Sequence, residues 1–126
     1  MELESVILEC ADEKVLADFY SKLTGWPIVL VEEEEAFIRL QSPKTGVGIA
    51  CQRDEDYVPP IWPSGRKGQQ MMAHLDFGVE DKEEMQAMVE KAVALGATIP
   101  EVQYGGEEWI TLLDPEGHPF CFVYWD

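Results

Sequence analysis

The chain has 126 residues, the length of one domain, and can bury roughly two-thirds of its unfolded surface without disulfide or metal staples. Hydrophobic residues at 46% and charged residues at 27% exclude a disordered or low-complexity chain. Its 25 acidic residues against 9 basic ones give a formal net charge of −16, which repels nucleic-acid phosphates and anionic membranes, so neither is an expected partner. Such a charge serves solubility or draws in a cationic ligand.

The first residues carry no basic segment followed by an apolar one, and no apolar run approaches membrane-spanning length, so a cytoplasmic location is expected. Cys10, Cys51 and Cys121 are widely spaced with no Cys-x-x-Cys pair, and read as reduced thiols.

In chain order, Ser5–Cys10 is a β-rich run, and Asp12 then caps a helix whose apolar stripe is Val15, Leu16, Phe19, Tyr20 and Leu23, stopped at Gly25. Residues 26–31 and 37–40 are strand candidates separated by the solvated Glu32-Glu33-Glu34-Glu35 turn; a Ser-Pro-Lys-Thr-Gly turn leads to a fourth strand at 47–52. Residues 53–70 are rich in Pro, Gly and charge, with Trp62 at the centre of an aromatic run. Such a linker is either a lid over a ligand or a loop pinned to the surface by its aromatics. The order then recurs: a strand at 71–79, a helix from Asp81 with Met85, Met88, Val89, Ala92 and Leu95, a stop at Gly96, strands at 98–103 and 108–113, the Asp114-Pro115-Glu116-Gly117 turn, and a strand at 120–124.

The two halves superpose residue on residue. Ser5 stands seven before Asp12, as His74 stands seven before Asp81; Phe37 to Pro43 matches Trp109 to Pro115; Ala50 falls opposite Cys121. One domain of two tandem βαβββ modules, at 1–52 and 71–126 with the linker or lid at 53–70, is the expected α+β architecture.

The runs Ala17-Asp18-Phe19-Tyr20, His74-Leu75-Asp76-Phe77, Leu95-Gly96-Ala97 and Asp114-Pro115-Glu116-Gly117-His118-Pro119-Phe120, in this order and duplicated, resemble the glyoxalase-like branch of the glyoxalase/bleomycin-resistance/dioxygenase (vicinal oxygen chelate) superfamily. The resemblance implies an open, mixed-sheet, barrel-like cleft between modules, a small-molecule ligand and a homodimer. In metal-dependent members, ligands sit on the first and last strands of each module, which here are Ser5, Ala50, His74 and Cys121. Only His74 is an ordinary ligand among them, so no metal and no other cofactor is expected. Moving the fourth-strand register by two brings in Gln52 for Ala50 and adds only an amide oxygen.

Strand alternation sorts the faces. Ser5, Glu9, Gln52, His74, Asp76 and Cys121 fall on the cavity side, with Trp109 and Trp125 as aromatic walls and Trp62 supplied by the linker. A largely apolar cleft with a few convergent polar groups suits a small, cationic or aromatic molecule. His74 and Asp76 are the candidate acid–base pair, with or without a divalent metal, if the chain is instead a lyase, isomerase or dioxygenase. Each also has a plainer reading, His74 as a hydrogen-bonded cavity histidine and Asp76 as a strand-edge acceptor. Cys121 is read first as core packing, since no orienting group or oxyanion donor marks it as a nucleophile.

Overall fold

The computed structural model describes residues 1–65 and 67–125. The chain forms two compact units, Met1–Val58 and Pro59–Asp126.

The first unit runs β1 (Ser5–Cys10), α1 (Glu13–Thr24), β2 (Ile28–Glu32), β3 (Phe37–Gln41) and β4 (Gly48–Arg53), in a sheet of order β1-β4-β3-β2. β1 and β4 are parallel and the other pairs antiparallel, so the sheet is mixed. Asp12 starts α1 by accepting from the backbone N–H groups of Lys14 and Val15 at 3.0 and 3.3 Å, and Gly25 ends it at φ 77°, a left-handed cap without steric cost for glycine. Leu16, Ala17, Phe19, Tyr20 and Leu23 are buried; Val15, expected on this stripe, is 46% exposed, and Ala17 takes its place. Ile38, Leu40, Ile49 and Cys51 complete the core beneath the helix, at about 1.5–3 kcal/mol for each large side chain.

The second unit runs β5 (Leu75–Gly78), α2 (Lys82–Ala94), β6 (Trp109–Leu113) and β7 (Pro119–Val123), in a sheet of order β5-β7-β6. β5 and β7 are parallel, β7 and β6 antiparallel. Asp81 caps α2 by accepting from the Glu84 N–H at 2.7 Å. Phe77, Phe120 and Phe122 cluster with ring centroids 5.7 to 6.2 Å apart, the core of this unit. The β6–β7 turn is locked by Asp114, whose buried carboxylate accepts from the N–H groups of Glu116 and His118 at 2.9 and 3.0 Å and lies 2.9 Å from His118 Nδ1.

Two expectations for this unit need correction. The strand expected at 98–103 is reduced to a single bridge, Thr98 to Leu113. Pro100 has no N–H to donate, and beyond it the Gln103 side chain occupies the β6 edge: it accepts from the Thr111 N–H at 2.9 Å and donates to the Thr111 carbonyl at 2.8 Å. The strand expected at 71–79 is only Leu75–Gly78, because Met72 takes a positive φ of 61° and Ala73 N–H turns back onto the Met71 carbonyl at 2.6 Å. The second module therefore has three strands where four were expected.

The internal repeat survives in the registers. Ala50 pairs with Ile7 on one side and Arg39 on the other; Cys121 pairs with Asp76 and Thr111. Within the first unit the Arg39 side chain lies across Gly48, where a Cβ would come within 2.6 Å of Arg39 Nε and 2.9 Å of the Leu40 carbonyl oxygen. Since a backbone oxygen cannot swing aside, Gly48→Ala is expected to destabilise the chain by about 1–3 kcal/mol, measured as a lowered urea midpoint at unchanged slope.

Candidate functional site

β5, β7 and β6 place Asp76, Cys121 and Thr111 side by side, because residues paired across neighbouring strands point to the same face. The opposite face holds Phe77, Phe120 and Phe122. Cys121 is 5% exposed, and its Sγ lies 3.3 Å from Thr111 Oγ1. His74, one residue before β5, brings Nε2 to 3.2 Å from Asp76 Oδ1.

Over this polar row lies a pocket of about 300 Å³ contained in the second unit, at the lower end of the range for small-molecule sites. Its walls are largely aromatic. Trp109 and Trp125 meet at 5.9 Å between ring centroids, Trp62 and Tyr104 at 5.7 Å. Trp62 is anchored by donating from Nε1 to the Val102 carbonyl at 2.9 Å. The Gln103 clamp on β6 thus holds the loop segment that carries both Val102 and Tyr104.

Trp62, His74, Asp76, Trp109, Cys121 and Trp125, all named from the sequence, line this one pocket. Ser5, Glu9 and Gln52 belong to the first unit. There Glu9 pairs with Gln52 and Ser5 with Gly48 along the β1–β4 register. The Glu9 carboxyl is held above the ordinary carboxylate range, first by a hydrogen bond with Asp54 and then by the Asp54 charge.

Met71, Tyr104, Thr111, Pro119 and Val123 also line the pocket, beyond the residues named as candidates. Thr111 stands two residues from Trp109 on β6, so alternation alone could have found it. Tyr104 and Met71 lie outside regular strands, where sequence offers no periodic signal.

Burial pushes the Cys121 thiol above its ordinary range; the Thr111 hydroxyl offsets part of this, and Asp76 raises it further by charge and by hydrogen bond. This is the opposite of an activated nucleophile. As metal donors, His74, Asp76 and Cys121 offer one nitrogen, one oxygen and one sulfur, all within 4.8 Å of one another. Three mixed donors of this kind match an open zinc-type site, so the residues fit a divalent ion once the thiol gives up its proton. Asp76 supplies the donor that the family positions alone lack.

The model of the glyoxalase-like domain family matches residues 5–123. The chain belongs to this family. Solved structures with the same fold include a glyoxalase/bleomycin resistance protein/dioxygenase family enzyme from Burkholderia phytofirmans, with 22% identity, 98% of each chain covered and a TM-score of 0.73. A glyoxalase-related enzyme from Fulvimarina pelagi aligns at 20% identity over 99% of this chain and 88% of its own, with a TM-score of 0.70. The fosfomycin resistance protein FosX of Listeria monocytogenes, solved with Mn(II) and a dihydroxypropylphosphonic acid, aligns at 17% identity over 97% of this chain and 88% of its own, with a TM-score of 0.70. No curated protein sequence matches the chain. Among the described residues, no helix is long and apolar enough to cross a membrane.

The thiol's environment sets a measurable reactivity. The raised pKa, set first by burial, is expected to move the pH at which a thiol reagent labels Cys121 upward from that of an unburied thiol. Asp76→Asn removes the charge that favours the protonated form, so the thiolate fraction and the labelling rate at a fixed pH should rise. Mass spectrometry of the Cys121 peptide over a pH series checks this; an unchanged or slower rate would contradict it.

Proposed function

We propose that the chain is a small-molecule-binding protein that works without a metal and holds a small cationic or aromatic ligand in the second unit's pocket. The observation that carries this reading is the composition of the site, aromatic walls over a single carboxylate. Apolar walls supply desolvation, and the few polar groups set orientation. The Asp76 carboxylate, steadied by His74, is the natural counter-ion for a positive group, and a net charge of −16 enriches cations around the molecule.

Thermal-shift screening of metal-free protein against cationic, neutral and anionic small molecules tests it. A ligand at a hundred times its dissociation constant adds about 2.7 kcal/mol and raises the melting temperature by several degrees. Shifts from aromatic or cationic compounds, reduced by Trp109→Leu, are expected; a panel without any shift would contradict the reading.

One observation favours a second reading, an enzyme of the lyase, isomerase or dioxygenase type: the convergence of His74, Asp76 and Cys121. Those three residues would hold a divalent ion, which acts as a Lewis acid on a bound oxygen when present. The His74–Asp76 contact at 3.2 Å supports their use as a proton-transfer pair in that reading. Elemental analysis of protein purified without chelator separates the readings. Stoichiometric zinc, manganese, nickel or iron, lost on His74→Ala, would replace the first by the second.

A homodimer in the cytoplasm is part of the same proposal. Its support is β2, an edge strand whose Ile28, Val29, Leu30 and Val31 are 39 to 50% exposed without a charge among them, an edge that would pair with a second copy. Light scattering should give twice the monomer mass, and Val29→Lys should return it to the monomer value; a wild-type monomer at micromolar concentration would contradict the dimer.

A further inference from the structure

We infer that the pocket of the second unit selects an N-alkylated ammonium head group, quaternary or tertiary, carried on a small body. The inference rests on the small-molecule reading above and names the ligand class for that site.

Three features of the pocket point the same way. The first is the arrangement of rings. The Trp109–Trp125 pair meets at 51° and the Trp62–Tyr104 pair at 60°, so each pair forms a corner. Two corners bordering one pocket suit a rounded group, whereas a flat neutral aromatic is best held between parallel walls. Ring faces carry negative quadrupole density, and a cation within about 6 Å of a ring centroid is attracted to it.

The second is charge. Asp76 is the only carboxylate among the described residues lining the pocket, and no lysine or arginine stands among them. A site with one carboxylate and no fixed cation has electrostatic room for a single positive charge and disfavours an anion.

The third is the apolar lining, which separates alkylated from primary ammonium. Met71, Pro119 and Val123 join the rings around the pocket. A primary ammonium, with three N–H donors to keep satisfied, gains less from such surface than an alkylated one. A quaternary ammonium has none, and its methyl groups present the apolar surface that the rings cover. The volume of about 300 Å³ holds such a head group and a short body.

The test compares choline with its uncharged isostere 3,3-dimethylbutan-1-ol by calorimetry and tryptophan fluorescence on the metal-free full chain at constant ionic strength. Choline should bind the wild type at least about tenfold more tightly than the alcohol, and more tightly than ethanolamine. Asp76→Asn and Tyr104→Leu should each reduce the choline-to-alcohol ratio to about threefold or less, with circular dichroism unchanged. The wild-type comparison uses two ligands on one protein, so it stands whether or not a variant folds. Equal affinity for the isosteres, or a ratio that survives both substitutions in folded protein, would overturn the inference. If the alcohol binds and choline does not, the ammonium class falls while the small-molecule reading stands. If none of the three binds, the ammonium class falls, and the small-molecule reading falls with it where the thermal-shift panel also gives no shift.

Discussion

Everything at the site follows from the double pairing of Cys121, with Asp76 on the parallel side and Thr111 on the antiparallel side. Strand side chains alternate, so this register sends one row of β7 into the Phe77–Phe120–Phe122 core and the other into the pocket. Slipping β7 by one residue would put Phe120 and Phe122 on the pocket floor and Cys121 in the core, at a cost of about 1.5–3 kcal/mol for each phenylalanine brought out. The Asp114 turn prevents this by tying the β6–β7 connection to three partners from one buried carboxylate. The chemistry of the floor is thus held by a turn that never touches it.

The duplicated architecture gives the first unit the same pattern with other side chains. Where the second unit aligns Asp76, Cys121 and Thr111, the first aligns Ile7, Ala50 and Arg39. A methyl group replaces the thiol, an aliphatic chain the carboxylate, and a guanidinium the hydroxyl. Arg39 donates from Nη2 to the Glu4 carbonyl at 3.4 Å and to Gln41 Oε1 at 3.2 Å, while its buried Nε has no hydrogen-bond partner among the described residues. Duplication preserved the strand geometry and left the chemistry free to diverge.

That geometry explains why most of the fold was legible in the sequence. Helix starts at Asp12 and Asp81, the stop at Gly25 and the turn at Asp114 are local signals, each fixed by hydrogen bonds within a few residues. Alternation from His74, Trp109 and Cys121 located much of the pocket for the same reason. The failures are nonlocal. Residues 98–103 have an acceptable strand pattern, yet Pro100 lacks a donor and the Gln103 side chain takes over the backbone partners that a fourth strand would have used. A side chain standing in for backbone leaves no periodic trace, so Tyr104 and the Trp62 anchor could be located only in three dimensions. Superposing the modules directs attention to the family positions, and Asp76, two residues beyond His74 and paired with Cys121, is not one of them.

The carboxylate of Asp76 is what makes the two functional readings exclusive. Aromatic walls alone would accept many apolar ligands, and the diffuse negative charge of the whole chain is screened within about 8 Å at physiological salt. Only a fixed anion inside the pocket converts general attraction into selection at the site. A divalent ion held by Asp76 and an ionised Cys121 would have its two positive charges balanced by its own ligands, leaving no net negative charge beneath the rings. The same floor would then favour a neutral or anionic ligand with an oxygen for the metal, and the tryptophans would revert to shape and desolvation. One carboxylate cannot serve as counter-ion to an ammonium and as metal ligand at once, so metal content decides the sign of the ligand's charge as well as the class of chemistry.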